Sequence, residues 1–358
     1  MKTIIIKDLE NFHEAVQIIR NGGLVAAPTE TVYGLCANAL NETAVNNIFK
    51  AKGRPNDNPL IIHIADLNML YELVREVSPT AKLLIDKFWP GPLTLIFKTK
   101  DIVPHAVTAG LDTVAIRFPS HPLMQKLIKD SGLPIAAPSA NTSGKPSPTN
   151  ASRVIEDMAG KIDCIIDGAS SEYGVESTIV DTTSEIPTVL RPGGITYEML
   201  ESIVGEIVID PAISHKLKEG EQPKAPGMKY THYSPNAEVF IIKNSSAYSG
   251  ISHHNMFGNL DNLREKLTNL VQTGHEAGKK IGILATDETQ HLFKADLVLS
   301  LGTEKDLFTV SAHLFEMLRR FDDEQIDIVY SLAFPKEGIG AAIMNRLEKS
   351  AGYQFIEL

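Results

Sequence analysis

Lys50, Lys52 and Arg54 fall within one short span, followed by Asn56, Asn58 and His63 and preceded by Thr29, Glu30, Thr31 and Tyr33. All lie in the stretch from Pro28 to Ile64, where polar side chains are packed between two apolar runs. Cations ahead of an Asn-rich turn have the chemistry of a phosphate site, because guanidinium and ammonium groups make charge-assisted bonds to phosphate oxygens. A single lysine there would be read as the complement of a helix dipole and a single arginine as solvated. The triplet favours an anion site. Arg117, Lys145, Arg191 and Lys229 fall in other segments of similar texture, which allows a local positive field inside an acidic chain.

The elements that must carry these residues can be read from their periods. Asn41 is placed to cap a helix with Glu42 in its first turn, and Val45, Ile48, Phe49 and Lys52 follow at three- and four-residue steps. Lys52 therefore closes the buried stripe. Gly53 ends the helix, and Pro55 and Pro59 stiffen the turn before a strand at 60–64. In a strand at 113–118, Val114, Ile116 and Phe118 point one way and Thr113, Ala115 and Arg117 the other. An arginine beside only alanine and threonine leaves room for a ligand, although a polar outer sheet face has the same pattern. Ser139-Ala140-Asn141-Thr142-Ser143-Gly144-Lys145-Pro146-Ser147 reads as a loop. It offers hydroxyls, an amide and backbone N–H groups together, which suits polyphosphate or sugar, though plain connectors share this composition.

A chain of 358 residues exceeds one ordinary core, so two domains are expected. Hydrophobic residues at 43% and charged residues at 22% are ordinary for a soluble globular protein. No apolar run approaches membrane-spanning length, the first residues lack a signal-peptide core, and a cytoplasmic location is expected. Cys36 and Cys164 are too few for a disulfide framework or a thiolate zinc site. A formal net charge of −10 argues against general nucleic-acid affinity.

Further strands are expected at 3–7, 24–27, 93–97, 134–138, 164–167, 177–181 and 188–191, with helices at 12–19, 67–77 and 80–88. Residues 216–235 are polar, Pro/Gly-rich and aperiodic, as in a linker, yet contain Met228, Lys229, Tyr230, His232 and Tyr233. Residue type leaves two readings of that cluster open: closure over a nucleotide, or docking on a domain surface. Beyond Asn236, strand-like runs at 238–243, 280–285, 295–301 and 326–333 alternate with helical segments, the rhythm of an open, mostly parallel sheet. Gly338-Ile339-Gly340 lacks the third glycine of a dinucleotide fingerprint, and helix packing after a turn is its better reading. No phosphate-loop, zinc-protease or serine-hydrolase motif is present in the sequence.

The runs PTETVYGL at 28–35, KAKGRP at 50–55, NPLIIHI at 58–64, TVAIRFP at 113–119, PSANTSGKPSPT at 138–149, ESTIVD at 176–181 and LRPGG at 190–194 together resemble the YrdC-like family of L-threonylcarbamoyladenylate synthases. PGMKYTHYSP and GAAIMNRLEKSA resemble its longer, two-domain form. The resemblance implies an α/β fold: a YrdC-like twisted open sheet with a concave basic cavity over 1–210, a linker over 211–235, and a smaller Rossmann-like α/β domain over 236–358. It implies a nucleotidyltransferase that makes threonylcarbamoyl-AMP and pyrophosphate from L-threonine, bicarbonate and ATP. Mg²⁺ would accompany ATP, and no residue is named as a metal ligand. Downstream threonylcarbamoyl-transfer proteins would carry the product to adenosine 37 of ANN-decoding tRNAs, so tRNA would be met only indirectly.

Carried over residue by residue, the resemblance places Thr31, His63, Arg117, Ala137 and Ser177 around threonine, with Arg117 on its carboxylate. Around ATP it places Lys52, Arg54, Asn58, Thr113, Ser139, Asn141, Ser147 and Arg191, with Tyr230 of the linker over the nucleotide. The family's KxR and SxN signatures are intact as Lys52-Gly53-Arg54 and Ser139-Ala140-Asn141, and Lys52 and Arg54 are the expected catalytic cations. Thr113 and Arg117 on one strand face could then touch ATP and threonine side by side. Two rivals are a carbamoyl-adenylate-forming enzyme of related fold and an RNA-binding module using the basic concavity.

Overall fold

The computed structural model describes residues 2–8, 10–213, 223, 225–226, 233–243 and 260–358. Two compact units divide the chain, Met1–Ser143 with Ser147–Tyr230, and Gly144–Pro146 with Thr231–Leu358. The three residues Gly144–Pro146 thus leave the first unit for the second in the middle of the hydroxyl-rich loop.

In the first unit the described strands are β1 (Ile4–Ile6), β2 (Val25–Ala27), β3 (Gly34–Asn38), β4 (Ile61–His63), β5 (Leu93–Lys98), β6 (Thr113–Arg117), β7 (Ile135–Ala136), β8 (Cys164–Ile166), β9 (Thr178–Asp181), β10 (Thr188–Arg191) and β11 (Val208–Ile209). They form one mixed sheet in the order β1-β8-β2-β3-β7-β4-β6-β5-β9-β10-β11. Each expected strand is present, most of them shortened at the ends, where pairing stops before the apolar pattern does. Val114 and Ile116 enter the main core with Ile62, Leu95, Phe97 and Val180. The opposite face carries a smaller cluster of Ile61, Ile96, Ala115, Ile179, Leu190 and Ala225. This second face, which also bears Arg117, is the one that concerns function.

Helix Glu42–Lys52 forms as its period requires. The Asn41 side chain accepts the Ala44 N–H, Ala44, Val45, Ile48, Phe49 and Lys52 are buried, and Gly53 at φ 64° takes the left-handed cap. Helix Phe12–Arg20 buries Phe12, Ala15, Val16 and Ile19. The helix expected at 67–77 stops at Leu73, because Val74 turns to an extended conformation and bridges Thr99. Cys36 and Cys164 are buried thiols, and burial raises both pKa values, that of Cys164 to about 12.

In the second unit the described strands are β12 (Glu238–Lys243), β13 (Ile281–Ala285), β14 (Leu297–Ser300), β15 (Ile328–Leu332) and β16 (Phe355–Glu357). Every pairing is parallel, in the order β14-β13-β15-β12-β16. Helices Leu260–Glu276, Leu307–Asp323 and Gly340–Ser350 alternate with them. The α/β reading holds for both units. β16 went unanticipated, since three residues near the chain end carry no period. Gly340 opens a helix and lies against the Pro335 carbonyl, so packing accounts for that glycine. Tyr233 stacks on Phe315 with ring centroids 5.0 Å apart, which favours docking for that one aromatic. Met228, Lys229, Tyr230 and His232 lie outside the described residues. Among the described residues no helix is long and apolar enough to cross a membrane.

Gly193 shows how tightly two of the sequence runs meet. A Cβ there would fall on the backbone N of Thr178, 2.5 Å from Glu176 O and 2.6 Å from the Ser177 carbonyl carbon. Gly193→Ala is therefore expected to destabilise the protein by about 1–3 kcal/mol, as overpacking against rigid backbone does. Chemical denaturation measures this, and an unchanged midpoint would show that LRPGG is not pinned to ESTIVD.

Candidate active site

A row of polar side chains crosses the sheet because three strand registers line it up. His63 of β4 pairs with Arg117 of β6 in parallel, and Arg117 pairs with Thr94 of β5 in antiparallel register. In-register neighbours share a face, so His63, Arg117 and Thr94 stand side by side. Ser177, just before β9, continues the row, with its Oγ 2.7 Å from Thr94 Oγ1. Arg191 of β10 completes it by donating from Nη2 to Ser177 Oγ at 3.2 Å and from Nε to Ser177 O at 3.0 Å. Ala137 follows the short β7, and its N–H donates to Ile61 O at 3.0 Å.

The loop between β2 and β3 supplies the groups that meet this row. Thr31 Oγ1 accepts from Arg117 Nη1 at 2.8 Å, and Glu30 Oε1 lies 2.6 Å from Arg117 Nη2. Arg117 Nε donates to Gly91 O at 3.2 Å. The guanidinium is therefore aimed by three groups from two segments, and it is only 3% exposed. Burial would raise the Glu30 pKa, but the Arg117 charge and hydrogen bonds from Arg117 and Ser120 outweigh it and hold the carboxyl below its usual range. His63 is pushed down to about 3, first by burial and then by the Arg117 charge, so its imidazole is neutral.

The lysine and loop signatures, far apart in sequence, also meet. Lys52 Nζ donates to the carbonyls of Ser139 and Asn141, the latter at 2.7 Å, and Ser143 N donates to Lys52 O at 2.9 Å. Ser139 Oγ donates to Asn141 Oδ1 at 2.6 Å. Tyr33 ties both ends of this loop, accepting from Ala140 N at 2.8 Å and donating its N–H to Pro148 O at 2.9 Å. Lys52 thus acts on the loop carbonyls, an orienting role that spacing alone did not specify. Arg54 donates to Asn58 O at 3.3 Å and lies over the Phe49 ring. Ser147 donates to Glu176 Oε1 at 2.6 Å.

Thr113 is half-buried at the far end of β6, on the Arg117 face and about 13 Å away along the strand. Lys50 is exposed, as a lysine complementing the helix end would be. A cavity of about 620 Å³ lined in part by Lys50, Lys52, Thr142 and Lys161 gives this unit a basic concavity. None of the Arg117 row lines it. Tyr230 lies outside the described residues.

Several buried polar atoms here have no hydrogen-bond partner among the described residues: both side-chain polar atoms of Asn58, His63 Nδ1 and Glu30 Oε2. Each such atom costs about 1–3 kcal/mol unless something binds it, so the group reads as a ligand site. Sequence reasoning gave Glu30 and Glu176 no role, although both lie inside the recognisable runs. A carboxylate among expected cation sites was the available signal.

Residues 17–193 match the Sua5, YciO and YrdC family model, described as "Telomere recombination", and residues 195–352 match the model described as "Threonylcarbamoyl-AMP synthase, C-terminal domain". The chain is 46% identical to the threonylcarbamoyl-AMP synthase of Pyrococcus abyssi over 99% of its own length and 100% of the relative. The chain belongs to the threonylcarbamoyl-AMP synthase family. It is also 47% identical to the synthase of that name from Bacillus subtilis, covering 96% of this chain and 93% of the relative. The crystal structure of P. abyssi Sua5 complexed with L-threonine matches it with a TM-score of 0.90 and 44% identity, over 100% of both chains.

For this family member the neutral His63 has a measurable consequence. Between pH 6.5 and about 3 the unfolded chain takes up a proton that native His63 refuses, so His63 makes stability fall as pH falls through that window. His63→Gln is expected to flatten the loss by up to about 1.4 kcal/mol per pH unit. Urea midpoints from pH 7 to pH 4.5 measure it, and parallel curves for variant and wild type would contradict a neutral buried imidazole.

Proposed function

We propose that this chain makes threonylcarbamoyl-AMP and pyrophosphate from L-threonine, bicarbonate and ATP. The observation that carries the reading is the buried, three-way-oriented Arg117 in a row with His63, Thr94 and Ser177, with buried polar atoms that lack partners among the described residues. Similarity over the whole chain to threonylcarbamoyl-AMP synthases, and to a P. abyssi structure holding L-threonine, supports it.

In this reading Arg117 pairs the threonine carboxylate, while Thr31, His63, Ala137 and Ser177 enclose the amino acid. Lys52, through Ser139 and Asn141, shapes the nucleotide loop. Arg54, Asn58, Thr113, Ser147 and Arg191 complete the ATP site, and Tyr230 is its proposed cover. A carbamate oxygen on the threonine nitrogen attacks the α-phosphorus, the new P–O bond forms, and pyrophosphate departs with the electrons of the broken bond. No side chain need act as nucleophile. Fixed cations and in-line positioning supply the acceleration, and Mg²⁺ arrives with ATP as part of the substrate. The adenylate then passes to threonylcarbamoyl-transfer proteins acting on adenosine 37 of ANN-decoding tRNAs, in the cytoplasm and without direct tRNA binding by this chain.

The test incubates the protein with Mg²⁺-ATP, bicarbonate and labelled threonine and assays pyrophosphate and a threonine-labelled adenylate. Threonine-dependent release of both is expected. Turnover with carbamoyl phosphate and no threonine would replace the reading by the carbamoyl-adenylate rival. Tight tRNA binding without ATP turnover would replace it by the RNA-binding rival.

A further inference from the structure

We propose that Glu30 selects a zwitterionic substrate, its second carboxylate oxygen receiving the α-ammonium of threonine while Arg117 takes the α-carboxylate. The assignment rests on the threonine-site reading above and adds a residue to it. Glu30 is 4% exposed. Its Oε1 accepts the Ser120 N–H at 3.1 Å and meets Arg117 Nη2 at 2.6 Å, whereas Oε2 is buried without a hydrogen-bond partner among the described residues. An anionic oxygen in that state is poorly solvated, and a ligand cation relieves it.

Orienting Arg117 is not a sufficient account of this carboxylate. Gly91 O and Thr31 Oγ1 already fix two of the guanidinium nitrogens. What Glu30 changes is the charge. Arg117 alone would attract any carboxylate, but the Arg117–Glu30 pair is neutral overall, so an isolated anion gains from one partner and is opposed by the other. An amino acid answers both. Its ammonium nitrogen lies about 2.5 Å from its carboxylate carbon, and the two protein charges are likewise adjacent, with Arg117 Nη2 2.6 Å from Glu30 Oε1. His63 and His121, which both feel the Glu30 charge, are held toward the neutral form, chiefly by burial.

Calorimetric titration of the full chain without ATP decides it, using L-threonine and (R)-3-hydroxybutyrate, the same skeleton without the amino group. One charge-assisted hydrogen bond corresponds to a factor of about 10–100 in affinity. Wild type is expected to prefer threonine by that factor. Glu30→Gln should lose the preference by weakening threonine alone, with 3-hydroxybutyrate unchanged or tighter because Arg117 is no longer neutralised. Glu30→Asp, which keeps the charge, should keep part of the preference. A merely structural role would weaken both ligands together, and that outcome overturns the proposal, as does equal binding of the two by wild type. If wild type binds no threonine at all, the threonine-site reading itself fails and takes this assignment with it. Should the Gln variant not fold, the ratios measured for wild type and Glu30→Asp decide between selection by charge and a structural role.

Discussion

Arg117→Ala is expected to lower kcat/KM for threonine by about 10²–10⁴ and to destabilise the fold. Two charge-assisted hydrogen bonds to a carboxylate, at about 1.5–3 kcal/mol each, set the kinetic range. The stability loss has a separate origin. Removing one partner of a buried ion pair leaves the other uncompensated, which costs about 3–5 kcal/mol, and here the group left behind is Glu30, buried with Oε1 2.6 Å from the lost guanidinium. The sign of its pH dependence follows from the causes of the Glu30 shift. In wild type the Glu30 pKa is lowered, so its contribution is present above about 4.5 and fades as pH falls through the folded value. Without Arg117 the burial that raises the pKa is opposed only by backbone hydrogen bonds at Ser120 and Glu30, the smaller of the lowering causes. The variant then binds a proton on folding, and its stability deficit should narrow as pH drops from 7 toward 5. Lysine at this position keeps a charge but cannot reproduce the fork to Thr31 and Gly91, so most of the activity should stay lost. Urea titrations at several pH values, with threonine saturation kinetics, read both effects. A deficit that does not depend on pH would mean that Glu30 and Arg117 are not paired as described.

Lys52→Ala is expected to reduce kcat/KM for synthesis by about 10²–10³ while the protein still unfolds cooperatively. The side chain is 3% exposed and its ammonium holds the carbonyls of Ser139 and Asn141. Without it those acceptors lose their donor, at about 1–3 kcal/mol, and the loop is free to shift. A displacement of about 1 Å at a positioning group costs about two decades in rate, and loss of a preorganised cation near a transferring phosphoryl group is of similar or larger size. KM for ATP should rise with the fall in kcat, whereas KM for threonine should move little, because Lys52 does not touch the Arg117 row in the described contacts. Wild-type rates from this variant would remove Lys52 from the mechanism.

Much of the local structure was legible because it follows from nearest neighbours. The helix ending at Lys52 follows from Asn41, a three-to-four step and Gly53. That Arg117 lies on the face opposite Val114 and Ile116 follows from strand alternation, which cannot be changed without moving those two out of the core. The parallel second unit follows from its alternation of strand and helix. The site residues, by contrast, were named through resemblance, since Ser, Asn and Pro in a loop have too many uses for type alone to choose among them.

The amino-acid sequence by itself determined where many of the helices and strands would form, which face of β6 carries Arg117, and that Lys52 is buried, because capping, period and alternation act over a few residues. Only the tertiary structure decided that His63, Arg117, Thr94 and Ser177 form one row, that Lys52 grips a loop far along the chain, and that Glu30 pairs with Arg117. Those pairings depend on strand order and register, which are fixed by how whole faces bury against one another and leave no mark in any short stretch of sequence.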